Sequence, residues 1–422
     1  MVELVSTLGA IVALAVAIGL ILKKVSPTYG MVAGALIGGL IGGADLVQTV
    51  ELMMGGAKNI IPAVLRILAA GVLAGVLIES GGAARIADTI VGKLGEVRAL
   101  LALAVATMIL TSVGVFVDVA VITVAPIALL IAERANISRF AVLLAMIGGG
   151  KAGNVMSPNP NTIAAADAFH QSLTSVMMGG VIPGLVGLLV AYLLARRLSN
   201  FGSAVHASEV HDKDHNKVLP SFGAAIVAPS VAIGLLALRP LFDIKVDPLI
   251  ALPVGGIAGT LAMGKIRQLN QFSTAGLQRM LPVAVMLLGT GTLAGIVANS
   301  ELKTVLIDGI ANLGLPAYVL APVAGILMSM ATASTTAGTA VASQVFAATL
   351  TTLGVAPLGS AVMIHSGATV LDSLPHGSFF HSTAGAVGMQ MKERLKMIPY
   401  EAAIGMGITI TATLIYGVFN LG

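Results

Sequence analysis

Four short interruptions hold most of the polar chemistry of an otherwise apolar chain. The first, Thr111 to Asp118, places an acid inside an apolar stretch. A charged side chain at bilayer depth costs roughly 3 kcal/mol unless it is paired, wetted or protonated. Asp118 is therefore a proton or cation site, a cap at a hairpin tip, or both. The second runs from Gly148 to Thr162 and alternates Pro158 and Pro160 with Asn159 and Asn161. Such prolines stop one half-helix and start another, with Asn159 or Asn161 as the cap. The new half-helix turns free N–H groups and a partial positive charge toward the membrane centre, which suits an anion. Lys151 supplies either a full positive charge for a carboxylate or a partner for Asp118 or another acid, and Asn154, Ser157 and Thr162 complete that candidate surface.

The third interruption, Ser329 to Thr339, is dense in hydroxyls, among them Ser334, Thr335 and Thr336. Membrane hydroxyls commonly bond back to their own helix, but this cluster exceeds that need and suits ligand or Na⁺ coordination. The fourth, His365 to Ser378, brings Asp372, Ser373, His376 and Ser378 around Pro375. Asp372 and His376 are spaced to share a proton or a substrate hydroxyl, or to hold the break as a polar pair. Histidine titrates near neutrality, so Asp118, Asp372 and His376 are the candidate carriers of a coupling ion. No catalytic residue, cofactor or metal site is expected. Backbone at membrane depth cannot stay unpaired in hydrocarbon, so all four breaks must line a wet, protein-enclosed cavity.

The elements that must position these residues are membrane helices. The chain has 422 residues, 57% hydrophobic and 10% charged. Soluble domains carry about 25% charged residues, so this one cannot cover a water-facing surface. Bilayer-length apolar runs recur, as at Leu4 to Leu22, Ile60 to Ile78 and Ala402 to Leu421. With no cysteine, neither a disulfide framework nor a cysteine metal site is possible. The net charge of +4 comes from basic residues in short loops, a topology signal that argues against nucleic-acid binding.

One long polar segment, 199–217, divides the chain into halves at 1–198 and 218–422. Its histidines, His206, His211 and His215, read as a solvated loop. The halves resemble each other at an offset of about 220 residues: Leu73-Ala74-Gly75 matches Leu293-Ala294-Gly295, Ser80 matches Ser300, and Pro158 falls beside Pro375 after a small slip. The first half reads as spans 4–22, 29–44 and 59–79, an amphipathic helix 83–93, a re-entrant hairpin 99–131, a broken helix 140–169 and a span 174–195. The second reads as 219–238, 247–263, 280–298, an amphipathic helix 302–312, a hairpin 317–350, a broken helix 357–380 and 402–421. This predicts an all-α polytopic membrane protein with about 10 transmembrane helices plus two re-entrant hairpins. With both termini outside, most of the 23 Lys and Arg residues fall on the cytoplasmic side, and only Lys58, Arg239, Lys245 and Lys303 face outward. Re-entrant hairpins then give the halves opposite orientation, the inverted-repeat plan of secondary transporters. Arg66, in the outer part of the third span, reads as a snorkelling side chain.

At Ser157-Pro158-Asn159-Pro160-Asn161 and at Ser373-Leu374-Pro375-His376-Gly377-Ser378 the chain resembles the gluconate permease (GntP) family, within the wider ion transporter superfamily. That resemblance implies proton symport of small hydroxy acids such as gluconate or hydroxybutyrate across a bacterial inner membrane. It also implies homodimers in which a transport domain moves against a scaffold, with hairpin tips and helix breaks forming the site. The chain lacks a basic or histidine residue between Pro158 and Pro160, which leaves the exact anion open. Na⁺-coupled carboxylate uptake or Na⁺/H⁺ exchange on the same fold is the second reading, favoured by the hydroxyls of Ser334 to Thr339. An intramembrane enzyme using Ser366 and His376 lacks a nucleophile–base signature, and a passive channel would not need broken helices at a closed site.

Overall fold

The structure, a computed structural model, describes residues 5–95, 98–205, 219–302 and 314–421, together with 304, 305, 308 and 312. Among the described residues it is built of helices, with a single isolated bridge between Val5 and Ser300. The polar segment around His206, His211 and His215 lies outside the described residues, as does most of the expected amphipathic helix 302–312.

The N-terminal half contains α1 (Thr7–Leu22), α2 (Pro27–Ile41), α3 (Leu46–Asn59), α4 (Ile61–Glu79) and α5 (Gly82–Leu94). It continues through α6 (Ala99–Ser112), α7 (Val117–Arg134), α8 (Arg139–Asn154), α9 (Pro160–Ala168), α10 (Leu173–Gly179) and α11 (Val181–Arg197). The C-terminal half contains α12 (Phe222–Phe242), α13 (Pro248–Ala262), α14 (Leu269–Ala298), α15 (Leu320–Thr332) and α16 (Thr335–Thr352). It ends with α17 (Pro357–Gly367), α18 (Ser378–Ala386) and α19 (Met391–Ala412), which runs on into a wide turn over Thr413–Val418.

Polar residues punctuate these helices. Ser6, Asp45, Ser138, Asn159, Ser172, Ser221, Asp247 and Ser334 each accept a backbone N–H at a helix start, so the apolar runs begin where an oxygen can satisfy the first turn. Among the described residues, five helices are long and apolar enough to cross a membrane, and Thr7–Leu22, Pro27–Ile41, Ala99–Ser112, Pro248–Ala262 and Ala317–Thr332 are shorter apolar helices. Large apolar side chains such as Leu8, Leu185, Leu189, Ile250 and Leu261 stand exposed on the outer helices, where lipid is the solvent that suits them.

Three elements depart from the sequence reading. Helix α3 occupies residues expected as a loop, and its signal was a capping box in which Asp45 and Gln48 satisfy each other's backbone N–H groups. Helix α14 starts at Leu269 rather than near 280, so its 30 residues reach about 45 Å, well beyond a hydrocarbon core of about 30 Å. Helix α8 passes through Gly148, Gly149 and Gly150 without a break, and the interruption begins only after Asn154. Those glycines serve packing: a Cβ on Gly149 would collide with the Ala104 carbonyl of α6, and one on Gly153 with that of Met108.

The centre of the molecule is the α4–α14 pair, closely apposed because Gly71 and Gly75 face Gly276 with no room for side chains. Helix α2 packs on α14 and α13 packs on α4, outside which lie α1 and α12. The interrupted helices form a second body: α6 packs on α8, α15 on α17, and α16 reaches across to α9. Arg394 and Glu401 form a fully buried ion pair on α19, with the guanidinium 4.7 Å from the Phe380 ring centroid.

Polar ties gather at two ends. At one, Arg279 pairs with Glu79 at 3.0 Å, Lys265 Nζ donates to the Ser80 carbonyl at 2.9 Å, and Arg85 Nε donates to the Pro220 carbonyl at 2.7 Å. At the other, Arg66 meets Asp167 and Asp247, and Tyr416 Oη donates to the Gly179 carbonyl at 3.2 Å. Along α4, Arg66 and Glu79 stand about 20 Å apart.

Candidate functional site

All four interruptions border one cavity of about 160 Å³. The first contributes Phe116, Val117 and Asp118 from the start of α7, where α6 ends at Ser112 and the chain reverses. The second contributes Lys151 and Asn154 from the end of α8 and Asn161 from the start of α9. The third supplies Ala333 to Thr336 at the α15–α16 tip, and the fourth supplies Asp372 with Ser378 and Phe379 at the start of α18.

The strongest tie in the cavity joins the two halves. Lys151 Nζ stands 2.5 Å from Asp372 Oδ1 and donates to the Thr369 carbonyl at 2.6 Å. Thr335 Oγ1 donates to Asp372 Oδ2 at 2.6 Å, and Ser373 Oγ donates to Oδ1 at 2.9 Å. Lys151 is 1% exposed and Asp372 5%, so this is a buried ion pair with hydroxyl support. Asp372 thus takes Lys151 as its partner, and not His376: the His376 ring lies 3.3 Å from the Ala331 carbonyl at the end of α15. The proline break separates the two side chains because the chain from Ala368 to Gly377 is not helical, so a spacing of four residues brings no shared face.

Asp118 accepts the Val119 N–H at 2.9 Å and has no ion pair among the described residues. Asn159 caps α9, its Oδ1 accepting the N–H groups of Asn161 at 2.9 Å and Thr162 at 3.1 Å. Its Nδ2 donates to the Asn154 carbonyl at 2.7 Å, so one asparagine spans the whole break. Thr162 also donates to Asn159 Oδ1, and Ser157 lies buried; neither borders the cavity. Ser157 Oγ and Asn161 Oδ1 are buried without a hydrogen-bond partner among the described residues. Asn161 also borders the cavity.

The hydroxyl cluster divides by role. Ser329 and Thr332 bond back to the Ile326 and Met328 carbonyls, as ordinary helix hydroxyls do. Ser334 caps α16 by accepting the Ala337 N–H at 3.2 Å, while Thr335 and Thr336 face the cavity. Between them Ala333 takes φ +46°, a left-handed conformation that costs an alanine about 1–2 kcal/mol. Strain of this kind collects at ligand sites. Ser366 Oγ has no hydrogen-bond partner among the described residues, so no Ser366–His376 dyad forms.

Sequence reasoning missed two features. Phe116 and Phe379 wall the cavity, though nothing in their apolar context set them apart. Arg66 does not simply snorkel: its Nε and Nη2 meet Asp247, the latter at 2.8 Å, and its Nη1 pairs with Asp167. The signal available was an aspartate, Asp167, near the end of the broken helix.

Apolar spans around a central polar cavity bordered by helix breaks define a polytopic membrane transporter. The family model described as GntP family permease matches residues 2–249, and the chain belongs to that family. A second model, the Na⁺-H⁺ antiporter family, matches residues 223–313. An uncharacterized transporter of Haemophilus influenzae is 68% identical over 99% of both chains. A high-affinity gluconate transporter of Escherichia coli is 24% identical over 88% of this chain and 90% of its own. Among solved structures, the YdaH transporter of Alcanivorax borkumensis superposes with a TM-score of 0.59 at 17% identity, covering 87% of each chain, which places the fold.

Proposed function

We propose that this protein is a proton-coupled symporter of a small hydroxycarboxylate such as gluconate, working in a bacterial inner membrane by alternating access. The observation that carries this reading is the meeting of four helix interruptions on one cavity around a buried ammonium, Lys151. Lys151 would receive the substrate carboxylate, with Asn154 and Asn161 beside it and Thr335, Thr336 and Ser378 serving the hydroxyl groups. Ser157, Asn159, Thr162 and Ser373 position these groups, and His376 braces the α15–α16 tip. Asp118 and Asp372 carry the coupling proton.

The charge balance supports coupling. A substrate carboxylate entering beside Lys151 puts two carboxylates on one ammonium, and binding one proton restores neutrality. Relatives that carry the names gluconate transporter and gluconate permease point to the same substrate class. The reciprocal packing of α2 on α14 and of α13 on α4 is what two inverted repeats would produce. On that plan the α4–α14 body is the scaffold, shared in a homodimer, and the interrupted helices move past it as an elevator. The distribution of basic loops favours both termini on the periplasmic face.

The second reading, Na⁺ coupling, draws on the antiporter-family match over 223–313 and on the hydroxyls at Ser334 to Thr336. Uptake of labelled gluconate and related hydroxy acids into proteoliposomes, with an inward proton gradient and with Na⁺ replaced by choline, separates them. Gradient-driven accumulation in choline supports proton symport. Accumulation only with Na⁺ favours the second reading, and no uptake of any hydroxy acid rejects both.

A further inference from the structure

A second cavity, larger than the first at about 240 Å³, opens at the far end of α9. Asn161 borders the central cavity and Asp167 this one, so one half-helix links them over about 9 Å. Three cations border the second cavity, Arg66, Arg239 and Lys245, against two carboxylates, Asp167 and Asp247. Both carboxylates are taken by Arg66, and the side chains of Arg239 and Lys245 have no ion-pair or hydrogen-bond partner among the described residues.

The geometry around Arg66 is that of a held carboxylate receptor. Asp247, at the start of α13, takes the Nε–Nη2 edge of the guanidinium, with contacts of 3.2 and 2.8 Å. A fork gripped on one edge is fixed in direction and offers the other edge to a second acid. That place is filled by Asp167 from α9, through one oxygen only: its Oδ2 is buried without a hydrogen-bond partner among the described residues. The pair is thus incomplete on its acid side, in a cavity whose remaining cations are uncommitted.

We infer that this cavity is a vestibular subsite for a small monocarboxylate, in which the arriving carboxylate takes the Nη1 edge of Arg66 from Asp167 while Arg239 and Lys245 hold it electrostatically. The inference rests on the reading of the chain as a carboxylate transporter and adds a capture step outside the central cavity. The exchange loosens the Arg66 tie to α9 and leaves the tie to α13 intact, so occupancy of the vestibule acts on the helix that borders the central site.

The absence of cysteine permits a direct test. Gln171, on the wall of the vestibule, is changed to Cys and its modification by a neutral maleimide is timed in proteoliposomes. Gluconate at ten times its dissociation constant should slow the reaction by about tenfold, whereas glucitol, which lacks the carboxylate, should not. The same protection should persist with Asp372→Asn in the central cavity, or with Thr335→Ala if that variant does not accumulate. It should vanish with Arg239→Gln and Lys245→Gln together, both exposed positions whose loss leaves the fold intact. Absence of protection, equal protection by glucitol, or loss of protection with the central variants would overturn the inference. Gluconate transport without protection would leave the proposed function standing and end the vestibule; protection without transport would do the reverse.

Discussion

Replacing Lys151 by alanine removes the ammonium from Asp372 Oδ1 at 2.5 Å and from the Thr369 carbonyl at 2.6 Å. Stripping one partner from a buried ion pair costs about 3–5 kcal/mol, because the other charge stays buried. Here Thr335 and Ser373 still donate to Asp372, and each hydrogen bond to a charged group is worth roughly 1.5–3 kcal/mol. The loss should therefore sit at the low end, about 3 kcal/mol, a factor of about a hundred in the folding equilibrium. The double variant Lys151→Ala/Asp372→Asn buries no uncompensated charge and should recover about 2 kcal/mol of that loss. The assay pairs the thermal midpoint of the detergent-solubilised protein with gluconate uptake by proteoliposomes. Stability should return in the double variant and uptake should not, since the ammonium that meets the carboxylate is gone. If Lys151→Ala matches the parent in both, the pair neither holds the halves together nor meets the anion; if the double variant regains uptake, the pair is only a staple between the halves and the anion site lies elsewhere.

Asp118→Asn should abolish accumulation driven by a proton gradient while leaving the amount of folded protein unchanged, as measured by uptake against fluorescence-detected expression. Asn159→Ala should cost about 1 kcal/mol for the lost cap on α9, read as a fall in thermal midpoint with reduced uptake, because Asn161 is then no longer held at the cavity. Gly149→Ala should sharply reduce the yield of folded protein, since its Cβ would collide with the Ala104 carbonyl; a normal yield would show that α6 and α8 can separate. Cysteines at Ala135 and Thr352, at the exposed bases of the two hairpins, should react with impermeant reagents from opposite faces of the membrane, and same-face labelling would refute the inverted plan.

Much of the arrangement is legible in the sequence because the bilayer narrows the choices. An acid at 118, prolines alternating with asparagines at 158–161, and hydroxyls at 334–336 are each costly in hydrocarbon and cheap only beside a wet cavity. Their placement on one cavity follows from that shared cost. Local pattern gives less away where two signals compete. Three glycines in a row suggest a break at 148, yet in α8 they fit the carbonyls of α6, and packing overrides their weak helix propensity. The spacing of Asp372 and His376 suggests a pair, but spacing carries meaning only within a regular element, and the chain there is irregular. The Lys151–Asp372 and Arg66–Asp167 pairs join residues 221 and 101 positions apart, and no periodicity can announce contacts of that range.

Those two pairs follow one electrostatic logic. If both cations receive an anionic cargo as proposed, neither can wait unpaired at membrane depth, and each is kept against a resident acid, Asp372 in the central cavity and Asp167 at the vestibule. Binding is then an exchange of one carboxylate for another, not the burial of a new ion pair, and its desolvation cost is correspondingly small. The displaced acid, however, stays close to the incoming one. Two carboxylates about 4 Å apart at an effective dielectric of about 20 repel by about 4 kcal/mol. On the proposed mechanism, uptake of a proton would remove that repulsion in the central cavity, where both groups are enclosed, and water would do so at the vestibule, where Asp247 is partly open. Coupling would thus belong to the enclosed site alone, because only there is a proton the cheapest way to seat a second negative charge.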